Sequence, residues 1–148
     1  MPTPVAVTIF HNPACGTSRN TLALIRNAGI EPTVVEYLRT PLDSAALRAL
    51  LQAMGVSAGE LLRQKEKSWQ DLLAASGKAA AEWSEDELVE AVAAHPILMN
   101  RPVVVTPLGT RLCRPSEAVL DILPVPQQGA FAKEDGEVVI DAAGKRLR

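Results

Sequence analysis

Cysteine is scarce in this chain of 148 residues: Cys15 and Cys113 are the whole supply. Two thiols cannot build a disulfide framework, and with histidine confined to His11 and His95 a structural zinc site lacks a ligand set. A C-x-x-C pair is missing too. Cys15-Gly16-Thr17-Ser18 puts serine where a redox dithiol carries its second sulfur, so a disulfide formed in turnover must use Cys113 or an external thiol such as glutathione. No apolar run approaches membrane-spanning length. Neither sign of charge dominates: 15 basic against 17 acidic residues leave a net charge of −2, which argues against a dedicated nucleic-acid or membrane surface. Low-complexity tracts, internal repeats and a signal-like N-terminal pattern are also lacking. The expectation is one domain over 1–148 in the cytoplasm, with no metal, no tightly bound cofactor, no nucleic acid and no membrane.

What is present is a chain long enough to bury on the order of 70% of the surface its unfolded form exposes. Val5-Ala6-Val7-Thr8-Ile9-Phe10 is β-prone, and Ser18 to Ala28 carries Leu22, Ile25 and Ala28 at helical spacing before Gly29 stops it. Cys15 falls in the turn between them. A thiol there faces the unpaired N–H groups and positive end of the helix, which favour thiolate over thiol. Gly16 allows an anion close to the backbone, and Thr17 and Ser18 offer hydroxyls to it. The turn therefore suits a nucleophile presented to an oxyanion.

Further on, Pro32 to Tyr37 reads as a second strand, parallel to the first across a βαβ connection. A helix follows from Asp43 to a stop at Gly55. Ser57-x-x-Glu60 and Ser84-x-x-Glu87 are capping boxes opening helices at Leu61-Leu62 and Leu88 to Ala94, with another helical stretch around Trp69 to Ala75. Trp69 and Trp83 read as packing residues, and His95 as a partner for a helix C-terminus. The sheet returns at Val103-Val104-Val105-Thr106 and pairs back through Thr110-Arg111-Leu112-Cys113, after which Pro115 starts a helix running through Ile122-Leu123. The tail from about 124 to 148 is richer in turn residues, with a short strand at Glu137 to Ile140 and a mobile end. This is the element order of a thioredoxin-like α/β domain, a mixed β-sheet flanked by helices, with a helical insertion over about 41–95. In such domains a cis-proline precedes the returning strand beside the reactive cysteine; Arg101-Pro102 stands there, and an ordinary strand-initiating proline is the alternative.

His11-Asn12-Pro13-Ala14-Cys15-Gly16-Thr17-Ser18-Arg19-Asn20, the run from His95-Pro96 through Arg101-Pro102 to Glu117, Leu61-Leu62-Arg63, and Gly129 to Glu137 together resemble the glutaredoxin-coupled class of bacterial arsenate reductases. The resemblance spans nearly the whole chain. It implies a thioredoxin-like fold, a nucleophilic Cys15 tuned by His11, and an oxyanion site formed by Arg63, Arg101 and Arg114, beside the Gly16, Thr17 and Ser18 that the turn itself offers. It also implies arsenate as substrate, glutathione as co-substrate, glutaredoxin as partner, and a place in arsenic detoxification. Arginine suits such a site because its planar fork holds two oxygens and its charge does not titrate. An imidazolium at His11 would add to the helix dipole in lowering the thiol pKa; the alternative is that His11 only hydrogen-bonds the turn. Two rival readings share the fold: a regulator that binds RNA polymerase, and a general glutathione-dependent thiol transferase.

Overall fold

The computed structural model describes residues 6–147; Val5 of the expected first strand and Arg148 of the expected tail lie outside them. The described chain divides into two compact units, one holding the residues up to Glu36 and those from Arg101 onward, the other Tyr37–Asn100.

In the first unit, β1 (Thr8–His11) leads into α1 (Gly16–Asn27) and β2 (Thr33–Glu36), and the chain returns as β3 (Val103–Thr106) and β4 (Gly109–Leu112). The sheet order is β2-β1-β3-β4. β1 and β2 are parallel, with Ile9 opposite Val34, while β3 runs antiparallel to both β1 and β4, with Val104 opposite Ile9 and Arg111. One alternating face of this sheet, Val7, Ile9 and Val104, packs with Leu24 and Ile25 of α1. Burial of that stripe fixes the register, because a one-residue slip would turn it to solvent.

Helix α1 ends as the sequence implies. Gly29 takes a left-handed φ of 80°, its N–H reaches the Arg26 carbonyl, and the Ile30 N–H reaches that of Ile25, closing a Schellman motif. The helix expected after β4 is present in a shorter and tighter form. Ser116–Asp121 forms a 3-10 helix rather than an α-helix, and Pro115 stands just ahead of it instead of within its first turn. Six residues between a strand and the Ile122 turn hold two tight turns whose Ala118, Val119 and Ile122 still reach the core.

The tail also departs from the sequence reading. Phe131–Ala132 (β5) pairs antiparallel with Val138–Ile140 (β6), and Leu147 N–H bonds back to the Val139 carbonyl. Ile140 is 1% exposed and belongs to the same apolar cluster as Ile9 and Leu24. The short strand expected at Glu137 to Ile140 is thus present as Val138–Ile140 and completes the core, while the described end beyond it, expected to be mobile, is tied back to that strand through Leu147.

In the second unit, α2 (Ser44–Met54) is capped by Asp43, whose carboxylate accepts the Ala46 N–H, and is closed by left-handed Gly55. The capping box at Ser57 opens only α3 (Ala58–Leu61), four residues long, because Leu62 turns extended and bridges to Met99. α4 (Lys67–Ser76) and α5 (Glu85–Ala94) follow. The Ser84 hydroxyl accepts the Glu87 N–H at 3.1 Å while the Glu87 carboxylate accepts the Ser84 N–H at 3.0 Å. Trp69 and Trp83 meet edge to face at 4.9 Å, as packing residues should. His95 is the C-cap residue of α5. None of the helices among the described residues is long and apolar enough to cross a membrane.

If the tail strand is part of the core, Ile140→Ala should cost about 2–5 kcal/mol in equilibrium unfolding by denaturant. A loss below about 0.5 kcal/mol, the scale of a surface change, would mean that the tail does not pack as described.

Candidate active site

The thiol turn is built from its own backbone. Asn12 folds it twice: its side-chain oxygen accepts the Ala14 N–H at 2.9 Å and its carbonyl accepts the Cys15 N–H at 3.0 Å. This is the Asx geometry that lets asparagine close a turn before proline. Cys15 then takes an extended φ/ψ of −100°/121° as the N-cap residue of α1, and its carbonyl accepts the Arg19 N–H. No side-chain oxygen caps this helix, and no acidic residue occupies its first turn. The sulfur stands where a capping oxygen would.

Cys15 is 8% exposed. Burial by itself pushes its thiol up, but the Ser18 N–H, the Arg101 charge and the Arg114 guanidinium act together against it, and the thiol lies below its ordinary value. Arg114 Nη1 sits 3.6 Å from Cys15 Sγ and also donates to the Arg101 carbonyl at 3.1 Å. Two arginines from opposite ends of the β3–β4 hairpin are thereby gathered at the thiol. Both precede cis-prolines, at Arg101-Pro102 as expected of a thioredoxin-like domain and at Arg114-Pro115, which the sequence reading did not anticipate.

Ser18 and His11 are both brought to the turn, where they hydrogen-bond to each other, the role that stood as the alternative for His11. Ser18 is fully buried, and its hydroxyl accepts the Asn12 N–H at 3.1 Å and lies 2.7 Å from His11 Nδ1. It is committed inward and not offered to an oxyanion; its backbone N–H is the group that serves the sulfur. His11 is itself buried, and desolvation, opposed by Glu36 and assisted by Arg26 and Arg19, holds it below the usual imidazole value. Burial thus disfavours the charged ring, which favours hydrogen-bonding support of the turn over imidazolium support of the thiol. Gly16 opens α1, and a Cβ there would make only ordinary contacts, with Arg19 and Glu134 side chains. Thr17 lies in the same first turn, its carbonyl accepting the Thr21 hydroxyl.

Arg63 belongs to the second unit, where its Nη1 donates to the Ile97 carbonyl at 3.2 Å and its Nη2 pairs with Glu66 at 3.3 Å. Cys113 is fully buried, and desolvation pushes its thiol up to about 12. Among the described residues, no three His, Cys, Asp or Glu side chains gather where a metal ion could sit. Two residues of the turn carried no assigned role in the sequence reading: Asn12, whose Asx-Pro pattern was a usable signal, and Arg19, whose partners no local pattern reveals.

The two thiols should separate under alkylation. Folded protein titrated with iodoacetamide should be modified at Cys15 at pH values below the ~8.5 of a free thiol, with Cys113 untouched until the protein unfolds. Equal labelling of both cysteines, or a Cys15 profile that rises only above the free-thiol value, would contradict this electrostatic account.

The ArsC family profile matches residues 10–122. An arsenate reductase of Rhizobium meliloti (strain 1021) is 58% identical over 97% of this chain and 99% of its own length, and one of Escherichia coli (strain K12) is 56% identical over 96% and 98%. Among solved structures, an arsenate reductase from Vibrio cholerae superposes with a TM-score of 0.75 at 40% identity, over 82% of this chain and 100% of that one. The fold is thioredoxin-like, and the chain belongs to the ArsC family.

Proposed function

We propose that this chain is a cytoplasmic arsenate reductase that forms a covalent Cys15–arsenate intermediate and draws its reducing equivalents from glutathione and glutaredoxin, in arsenic detoxification. The observation that carries the reading is the Arg114 guanidinium 3.6 Å from a Cys15 sulfur whose thiolate is favoured, with Arg101 acting on the same atom. An anionic nucleophile approaching an oxyanion meets like-charge repulsion, and fixed cations at the point of approach offset it. Relatives 56–58% identical over almost the full chain bear the name arsenate reductase, which supports arsenate as that oxyanion.

In the proposed cycle the Cys15 thiolate attacks arsenic(V) and an arsenate oxygen leaves as water, forming the S–As bond. Glutathione adds its sulfur to arsenic with loss of a second water. A glutaredoxin thiolate then attacks the glutathione sulfur: the As–S bond to glutathione breaks, its electron pair stays on arsenic, and the two sulfurs leave as a mixed disulfide. Arsenic is now As(III). Hydrolysis of the remaining As–S bond releases arsenite and returns Cys15 as the thiolate. A depressed thiol pKa serves both ends of the cycle, making Cys15 nucleophile at the start and leaving group at the finish. The lack of a C-x-x-C partner and the burial of Cys113 both favour an external thiol as reductant. The family resemblance adds Arg63 to the arginines proposed to bind arsenate, and the helix start adds Gly16 and Thr17.

NADPH consumption coupled through glutathione reductase, glutathione and glutaredoxin should depend on added arsenate; a rate unchanged without arsenate would refute the reading, and turnover of glutathionylated substrates instead would identify a thiol transferase. Cys15→Ser should abolish turnover in a folded protein, since a hydroxyl stays protonated where the thiol ionises. Arg101→Ala and Arg114→Ala should each lose about 1.5–3 kcal/mol of transition-state stabilisation, roughly ten- to a hundredfold in kcat/KM. Lysine at either position should restore charge but not the fork, and fall between. Near-wild-type kcat/KM in both alanine variants would remove the arginines from the site.

A further inference from the structure

The tail run Gly129 to Glu137 belongs to the family resemblance, yet it holds none of the residues proposed to touch the sulfur or the oxyanion. In the fold its turn reaches the start of α1. Arg19 Nε and Nη2 fork onto the two Glu134 oxygens at 2.8 and 2.9 Å, while Nη1 donates to the Pro13 carbonyl, also at 2.8 Å. The Glu134 N–H in turn bonds Asn20 Oδ1 at 3.1 Å. One guanidinium thus joins the thiol turn, the first turn of α1 and the β5–β6 hairpin. The next residue back, Lys133, pairs with Glu117 at 2.9 Å in a far less exposed contact, 13% and 18%, three residues beyond Arg114.

We propose that Arg19, anchored by Glu134, is a positioning residue for Cys15: it holds the Pro13 carbonyl and so sets where the sulfur stands over the α1 N-terminus. The tail hairpin is the strap that carries the anchor. Arg19 and Glu134 are 43% and 52% exposed, and ion pairs so placed add little to stability. Their bidentate geometry instead fixes direction, since the fork leaves a third donor aimed at one carbonyl, which a lysine ammonium on a flexible stem does not reproduce. Glu134 also lies close to Gly16, so its own charge sits beside the thiol turn. That placement separates position from charge. If Glu134 acted only by its field, removing its charge would favour the thiolate; if it acts by anchoring Arg19, removing it lets the turn relax and disfavours the thiolate.

The inference rests on Cys15 being the reactive thiol, and iodoacetamide alkylation tests it without arsenate, so it can fail while the arsenate reading stands, or the reverse. The charged groups around the sulfur are Arg19, Arg101, Arg114 and Glu134, and burial holds His11 below the usual imidazole value; only Arg19 and Glu134 are varied. Arg19→Ala and Glu134→Gln should both slow Cys15 modification near neutral pH by about three- to tenfold, the equivalent of half to one unit in its apparent pKa. Arg19→Lys should fall between Arg19→Ala and wild type. Thermal unfolding should show both exposed-site variants folded. Faster or unchanged alkylation in Glu134→Gln would overturn the anchoring role, and an unchanged profile in Arg19→Ala would overturn the proposal altogether.

Discussion

The site depends on one competition at the N-terminus of α1, between the cost of burying a thiolate and the donors turned toward it. Cys15 is buried, and the loss of water that comes with burial by itself favours the neutral thiol. The Ser18 N–H, Arg101 and Arg114 reverse the balance, and each reaches the sulfur through a different piece of the fold. The amide is one of the orphan donors every helix start provides. The arginines flank the β3–β4 hairpin, and the sheet pairing of β3 to β1 carries that hairpin to the end of the strand preceding the thiol turn. Take away the register of the sheet and the cations no longer meet the sulfur.

This view gives the polar residues around the turn a shared purpose. Asn12, Ser18 and His11 form a set of hydrogen bonds that holds the loop against the helix. Buried polar networks of this kind rigidify what they connect. None of the three needs to carry charge, and the neutral state favoured at His11 suits the interior it occupies. The permanent charges are left to arginine, which does not titrate in the working range.

Much of this was legible in the chain. Cys15 between a strand and a helix, the caps at Asp43 and Ser84, the Gly29 stop and the β3–β4 hairpin all follow from local patterns, and local physics decides them. The misreadings fall where tertiary context decides. Two residues, Phe131–Ala132, are too few to show period two, so β5 had no signature, and the strand expected at Glu137 to Ile140 lacked a visible partner to hold the end that follows it. Charge at His11 turns on burial, which depends on what packs over it. Glu134 is 115 residues from Arg19, and nothing in either neighbourhood names the other. The four-residue α3 was cut short by pairing of Leu62 with Met99, another distant contact that a sound capping box at Ser57 could not foretell.

The central claim, that the arginines beside Cys15 hold it as thiolate against burial, is tested most directly by the ultraviolet absorbance of the thiolate as the folded protein is titrated. Burial pushes Cys113 up to about 12, so absorbance gained at lower pH in the native protein and missing in Cys15→Ser belongs to Cys15. The account predicts a midpoint below the ~8.5 of a free thiol in the native protein, moving upward in Arg114→Ala. A midpoint at or above the free-thiol value, or one that Arg114→Ala leaves in place, would contradict it.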